Sequence, residues 1–373
     1  MIIYWWTSGI SIHRVPMLKK LTEMGHSIVL ITDFGISRDR IELGWTVPAL
    51  GEIILKTNLP LSEKQKIITA QTDDSVNIVC GLHGCRDAKT VIKCCFQSKR
   101  IVGLSSEDWD TRGLKGKIKH LLYKIEGILW DRKIDFILAM GEKGANAYRA
   151  AGFSPSKIRR FFYVVDTPHV PTQSPREFQC VNLIFVGSLC TRKAVDILIK
   201  SLSRIELDFH LLVVGNGEER NNLERLSREL GVYSKITWQG VAENREIPQL
   251  MAQSDILILP SRRDGWGAVV NEALHQGTRV ICSSECGAAC CLPPNSLVFE
   301  SENEEALTHA LKKSILLGKV TERERAQTIK FAEDNLSPTA AAKLFLEVVA
   351  QSRKRAFKKK DLRTSRENPA QCD

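Results

Sequence analysis

The sequence predicts an α/β protein of two domains, each a Rossmann-like parallel sheet with helices on both faces, the two facing across a cleft. Short apolar runs alternate with stretches of helical period along the chain, which is the rhythm of βαβ units. That rhythm is interrupted once, around Pro168, Pro171 and Pro175, where residues 167–180 read as a linker. A length of 373 residues is enough for two separate cores.

Residues 1–166 form the first series. The apolar run 2–6 reads as a strand, Thr7-Ser8-Gly9 as a turn, 13–24 as a helix stopped at Gly25, and 27–33 as a second strand. This opening places Gly9 where a phosphate can approach. Residues 35–75 look irregular apart from a helix at 61–69. Strands follow at 76–83, 100–104, 136–141 and 158–166, with a helix at 142–151. The C-terminal ends of parallel strands face a ligand crevice, so His83 and Glu107 are candidates by position. A strand-end histidine is more often simply a capped, solvated residue. Asp108-Trp109-Asp110 puts two carboxylates close enough to share a divalent cation, although so short a pattern often arises by chance. The stretch 114–132 is an amphipathic helix. Its apolar stripe (Leu114, Ile118, Leu121, Leu122, Ile125, Leu129) is expected to pack on the sheet. Lys115, Lys117, Lys119 and Lys124 also permit a membrane-interface reading.

Residues 181–335 form the second series, with strands at 182–186, 210–214, 235–238, 255–259, 278–282 and 297–299. Helices are expected at 193–202, 217–230, 246–253, 267–276 and 304–317. Arg192 and Lys193 stand at a predicted helix N-terminus, where two cations and the helix dipole suit a diphosphate. Gly217 ends the turn after the second of these strands. The most informative stretch runs from Pro260 to Leu274. A buried strand leads into Asp264-Gly265-Trp266-Gly267, and a helix carrying Glu272 follows. The glycines expose backbone N–H groups to an anionic or hydroxyl-rich ligand, and the two carboxylates can accept hydrogen bonds from vicinal hydroxyls of a sugar or ribose. A final helix is expected at 338–353 within residues 336–356, and 357–373 reads as a basic disordered tail.

Composition narrows the class. Charged residues make up 26% and hydrophobic residues 43%, ordinary for a soluble globular protein, and no apolar run reaches membrane-spanning length. The first residues read as a strand, not a signal peptide. Eleven cysteines at irregular spacing fit reduced cytosolic thiols, and Cys282, Cys286 and Cys290 are too widely spaced for the usual zinc hairpin. The net charge of +10 attracts anionic partners. Six of the basic residues lie between Arg353 and Lys360, a solvated tail or a membrane tether.

An acidic residue separated from Glu272 by seven residues, following a strand that ends in Pro-Ser and enclosing Gly-Trp-Gly, resembles retaining glycosyltransferase family 4 of the GT-B fold. The fuller string, through Asn271-Glu272-Ala273-Leu274 to Gly277-Thr278, resembles members that build bacterial surface polysaccharides. The resemblance is specific over about residues 181–288. It implies a retaining, metal-independent transfer from a UDP- or GDP-sugar to a glycan or lipid-linked acceptor, with no cofactor. Asp264 would hold donor sugar hydroxyls, Glu272 the ribose or sugar edge, and Gly265, Trp266 and Gly267 the sugar and phosphate through backbone N–H groups. Arg192 and Lys193 would meet the diphosphate, Val241 the nucleobase, and His83 and Glu107 the acceptor. The last helix would cross back to the first domain. Expected partners are the donor, the acceptor and the anionic inner face of a membrane, not nucleic acid, with a cytoplasmic location. The chain departs from the pattern at Ser188, where an arginine is common, at Glu107, where a histidine is common, and at Pro293-Pro294-Asn295. These departures keep a noncatalytic nucleotide-sugar-binding partner or sensor open as the alternative.

Overall fold

The computed structural model describes residues 1–37, 41, 46–166, 170 and 179–367, with the backbone alone for 356–367. Most of the 167–180 linker therefore lies outside the described residues. Among the described residues thirteen strands form two sheets, and every pairing between these strands is parallel.

The first sheet holds β1 (Ile2–Thr7), β2 (Ser27–Thr32), β3 (Ile54–Thr57), β4 (Ser75–Val79), β5 (Ile101–Ser106), β6 (Phe136–Met140) and β7 (Ile158–Phe161), in the order 3-2-1-4-5-6-7. The second holds β8 (Val181–Val186), β9 (Phe209–Val214), β10 (Ile236–Gly240), β11 (Ile256–Leu259), β12 (Arg279–Ser283) and β13 (Leu297–Phe299), in the order 10-9-8-11-12-13. Central strands such as β4, β6, β8, β11 and β12 are buried along their whole length. Helices cover both faces, so continuous apolar runs are the stable choice there. In each sheet the strand order reverses beside the first strand, between β1 and β4 and between β8 and β11. A crevice opens at such a switch point.

The helices are α1 (Val15–Glu23), α2 (Leu61–Thr69), α3 (Ala88–Gln97), α4 (Gly113–Trp130), α5 (Gly141–Ala150) and α6 (Val195–Leu202). They continue with α7 (Arg220–Glu229), α8 (Ile247–Ala252), α9 (Ala268–His275), α10 (Glu304–Leu316), α11 (Glu322–Leu336) and α12 (Pro338–Glu367). Buried Asp255 ties the second sheet to the start of α11, accepting hydrogen bonds from Asn182 N at 2.9 Å and Val320 N at 2.8 Å.

Several local expectations are corrected. The stretch 35–75 contains β3, an edge strand with exposed side chains that is held by backbone pairing to β2, so it carries no apolar alternation. The sequence reading also passed over α3 and α11, although α11 opens with a capping box formed by Thr321 and Glu324. The helix after β8 begins at Val195, because Ala194 adopts a left-handed φ of 54° and leaves Arg192 and Lys193 on a preceding 3-10 turn. The apolar stripe of α4 faces outward, because the opposite side of that helix carries the glycines and rings that pack on the domain. The basic stretch after residue 356 continues α12 to Glu367; Lys, Arg and Glu are good helix formers and extend a helix already nucleated by packing. Residues 368–373 lie outside the described residues.

Within α12, Ala341, Ala342, Phe345, Val348 and Val349 are buried in an apolar cluster that also holds Trp5 and Leu18 of the first half and Leu257 and Leu274 of the second. The helix packs on α1, and Phe345 meets Trp5 at 6.1 Å between ring centroids. Its middle is pinned by Arg353 to Asp74 at 2.8 Å. Phe345→Ala should therefore cost about 3–5 kcal/mol in urea unfolding. A loss below about 1 kcal/mol would show that α12 does not hold the halves together.

Candidate functional site

The two switch points face each other across a cavity of about 880 Å³. The first half lines it with the turn after β1 (residues 7–14), with Glu107 beyond β5 and with Tyr163. The second half contributes the turns after β8, β9 and β10, the segment from Arg263 to Val269, and Glu272. Gly9, Glu107, Arg192, Lys193, Gly217, Val241, Asp264, Gly265, Trp266, Gly267 and Glu272 all stand on its wall.

The basic turn after β8 is held in place from below. Arg262 donates to Thr191 O at 2.6 Å and to both carboxylate oxygens of Asp196 at 2.8 and 3.0 Å, while its own backbone N–H donates to Arg192 O at 2.9 Å. Lys193 is buried, and its Nζ donates to Asp264 Oδ2 at 2.6 Å. Arg192 lies 3.8 Å from the same carboxylate and donates to Arg263 O at 3.0 Å. Asp264 is thus the anion that holds two cations at the cavity wall.

Beyond it, the chain must bend sharply into α9. Gly267 takes a φ of 85°, and a side chain there would meet Cys286 Sγ at 2.6 Å, so only glycine fits. Among the described residues, no protein group accepts from the backbone N–H groups of Gly265, Trp266 and Gly267. They border the cavity at the N-terminus of an eight-residue helix, so an anion or hydroxyl can take them. The Trp266 indole is buried and donates to Asn271 Oδ1 at 3.0 Å; Asn271 in turn donates to Tyr163 O at 2.7 Å, fastening the loop to the other half. One turn along α9, Glu272 reaches the cavity with no hydrogen-bond partner among the described residues. Burial pushes its carboxyl up to about 7.

Glu107 crosses from the first half to pack on Gly265, where a Cβ would lie 2.0 Å from its Oε2. Burial raises its pKa, helped by the nearby Asp264 and Asp108 carboxylates and opposed by a hydrogen bond from Tyr163 and by Arg263. His83 is the one predicted site residue away from the cavity. It lies 2.9 Å from Glu126 on α4, which also takes Lys89 at 2.6 Å; the loop after β4 turns it toward that helix. Asp108 pairs with Arg263 at 3.2 Å and Asp110 with Arg112 at 2.9 Å, while Trp109 between them is buried against Tyr123. Each carboxylate is therefore already matched to a guanidinium. Cys282 and Cys286 are buried, whereas Cys290 is exposed beside Cys291. Among the described residues no three His, Cys, Asp or Glu side chains are grouped to hold a metal.

The family model for glycosyl transferases group 1 matches residues 181–334. The match takes in the second sheet and most of the helices that cover it. An uncharacterized glycosyltransferase of Methanocaldococcus jannaschii is 33% identical over 105 residues, 27% of each chain. Lipopolysaccharide glucosyltransferase WaaG of Escherichia coli K12 is 29% identical over 140 residues, 36% of this chain and 37% of that one. The chain thus spans about a quarter to a third of these curated relatives' length. Over nearly the whole chain, the structure of Anabaena HepE in complex with UDP superposes with a TM-score of 0.70 at 15% identity, covering 94% of this chain and 99% of that one. The fold is GT-B.

The cavity also carries residues to which the sequence assigns no role: Arg263, Tyr163, His13, Arg14 and Asn216. Arg14 donates to Thr7 Oγ1 at 3.1 Å and lies over the Trp5 ring. Of these, only Arg263 had a local signal, its place inside the Pro260–Leu274 stretch; the others are single residues on turns.

A carboxyl held neutral by burial stabilises the folded state below its unfolded pKa of about 4.3, and that contribution is lost as pH rises through the folded value of about 7. Glutamine stays neutral throughout. Glu272→Gln should accordingly raise the melting temperature relative to wild type more at pH 8 than at pH 5. An equal difference at both pH values would contradict the raised pKa.

Proposed function

We propose that the chain is a retaining glycosyltransferase that moves a sugar from a nucleotide-sugar donor to a glycan or lipid-linked acceptor in surface-polysaccharide or lipopolysaccharide biosynthesis. The observation that carries this reading is the convergence, on one interdomain cavity, of the Arg192–Lys193 turn with the N–H groups of Gly265–Gly267 and with Glu272, none of which has a hydrogen-bond partner among the described residues. Cations suit a departing diphosphate, N–H groups suit its oxygens, and a carboxylate suits a diol.

In this reading the diphosphate lies against the turn after β8 and the N-terminus of α9. Lys193 and Arg192 supply the positive charge that stabilises it as it leaves, so the transfer needs no metal ion. Asp264 keeps Lys193 aimed at that place when no donor is bound, and offers its carboxylate to sugar hydroxyls when one is. Glu272 accepts from the ribose or sugar edge, since a hydroxyl donor favours the ionised form of a carboxyl. The bond from the anomeric carbon to the phosphate oxygen breaks as the acceptor oxygen bonds on the same face. The acceptor proton passes to the departing phosphate oxygen. Glu107, with Tyr163 donating to it, faces this point from the first half and positions the acceptor. Val241 borders the nucleobase end. The HepE structure was determined with UDP, which makes UDP-sugars the first donors to try.

Melting curves with UDP-, GDP-, ADP- and dTDP-sugars, with and without EDTA, test the donor half of the reading. One nucleotide class should raise the melting temperature, and EDTA should leave the shift intact. No shift with any donor would sink the assignment, and a shift without any turnover would favour a noncatalytic binding protein.

Lys193→Ala and Glu272→Ala should each lower kcat by about 10²–10³-fold while the chain stays folded. In the lysine variant Asp264 keeps Arg192 at 3.8 Å, so it is not left without a cation. Near-normal turnover by both folded variants would remove these residues from the site.

A further inference from the structure

Among the described cysteines Cys290 alone is exposed, and its Sγ lies 3.4 Å from that of Cys291. The two end a 3-10 turn, Gly287–Cys291, that packs against α5 of the first half. The other adjacent pair, Cys94 and Cys95, falls within α3. Successive side chains there point about 100° apart, and Cys95 is fully buried.

The surroundings of Cys290 favour its thiolate. The Cys291 S–H donates to the Cys290 sulfur, and so does the Glu142 N–H in the first turn of α5. The exposed Arg160 guanidinium acts in the same sense while pairing with the Glu142 carboxylate at 3.1 Å. Against the opposing cost of desolvation these contacts bring the Cys290 thiol down to about 6, and Cys291, which keeps the proton, is raised. Gly287 O, 3.3 Å from Cys290 Sγ, accepts only from the protonated form and pulls the other way. Elsewhere burial dominates, pushing the Cys85 thiol up to about 12 and raising that of Cys95. An exposed thiolate beside a helix N-terminus and a guanidinium is the reactive form of cysteine. With no third ligand grouped beside them among the described residues, the two sulfurs suit oxidation and not a metal ion.

We propose that Cys290 and Cys291 form a reversible thiol–disulfide couple, oxidised by a hydroperoxide, whose state adjusts the loop 264–267 at the cleft. The Cys290 thiolate attacks a peroxide oxygen, the O–O bond breaks, and the departing alkoxide takes up a proton to leave as an alcohol. The Cys291 sulfur then attacks the sulfenic acid so formed. The S–S bond closes, the S–OH bond breaks, and hydroxide leaves as water with the Cys291 proton. Two thiols lose two electrons, and the hydroperoxide gains them. Adjacent Cα atoms are about 3.8 Å apart, short of the usual separation of about 4.4–6.8 Å across a disulfide, so the bond is strained and easily reduced again.

The turn is built into the cleft wall. Gly287 N donates to Asp264 O at 3.0 Å and Ala288 N to Trp266 O at 2.8 Å, and a Cβ at Gly287 would lie 2.1 Å from Gly265 O. Closing the disulfide discharges Cys290, removes the acceptor of the Glu142 N–H and bends the turn. The loop that carries Asp264 and Gly265 loosens with it. Neither the chemistry nor this coupling depends on what the cavity binds.

Iodoacetamide labelling of the full chain, read by mass spectrometry, tests the thiol chemistry. At pH 7 Cys290 should react about tenfold or more faster than the buried cysteines. Its rate should rise through about pH 6 and level off above. Treatment with tert-butyl hydroperoxide should yield a Cys290–Cys291 disulfide that dithiothreitol reverses. Cys291→Ser should stop at a Cys290 sulfenic acid, trapped by dimedone, and Cys290→Ser should leave Cys291 unoxidised. Serine nearly matches cysteine in size, so circular dichroism of both variants should match wild type. Oxidation should quicken hydrogen exchange at Gly287 and Ala288 about threefold or more in wild type, and leave it unchanged in Cys290→Ser. Labelling of Cys290 no faster than of the buried cysteines, a dimedone adduct on another residue, or no Cys290–Cys291 bond in the oxidised wild type would overturn the couple. Equal exchange in oxidised and reduced wild type would overturn its link to the cleft.

Discussion

The ion pair between Lys193 and Asp264 is the contact on which the cleft depends. It joins the turn after β8 to the loop after β11, the two segments that flank the switch point of the second sheet. An ion pair removed from bulk water is costly unless its geometry is good and further partners satisfy it. Here the supporting contacts are present: Arg192 lies on the same carboxylate, and Arg262 locks the basic turn through Asp196 and two backbone carbonyl or N–H contacts. The result is a fixed array of cations and N–H groups that does not have to reorganise around an arriving anion. Such preorganisation is what electrostatic catalysis requires.

The halves are joined in two different ways. On the α12 side an apolar cluster runs from the first sheet to the second without a break. Across the cleft the ties are polar: Lys143 with Glu285, Arg263 with Asp108, and Asn271 with the Tyr163 carbonyl. Half-exposed pairs such as Lys143–Glu285 are each worth at most about 1 kcal/mol. The Lys143–Glu285 pair therefore adds little to holding the rims together, whereas Asn271 is buried and Arg263 and Asp108 nearly so. Close backbone approaches mark where the rims meet, at Gly265 against Glu107 and at Gly141 against the Gly287 carbonyl.

Glu272 shows the cost of keeping such a site ready. Its carboxylate lines the cavity without a hydrogen-bond partner among the described residues, and burial shifts its titration to about pH 7. A helix residue with no role would more cheaply be apolar at that position. The stability lost in the ionised form is the kind of local penalty found where a ligand supplies the missing hydrogen bonds.

Periodicity and turn chemistry were sufficient for the two parallel series, because central strands of a covered sheet are apolar throughout and helices on it repeat at 3.6 residues. The Asp264–Glu272 unit was legible for the same reason: glycines after a buried strand and before a helix leave few other conformations. Arg192 and Lys193 were legible as cations next to a helix, although the left-handed Ala194 that sets them on a separate turn was not. The edge strand β3 escaped because its exposed side chains carry no pattern, and its existence rests on backbone pairing. What the sequence by itself determined was the pair of sheets and the chemistry available at their switch points, since those depend on local spacing. Only the tertiary structure decided that His83 turns to Glu126, that Glu107 crosses to Gly265, that Asp264 holds Lys193 and that α4 faces outward. Each of these depends on contacts between segments far apart in the chain, about which local periodicity carries no information.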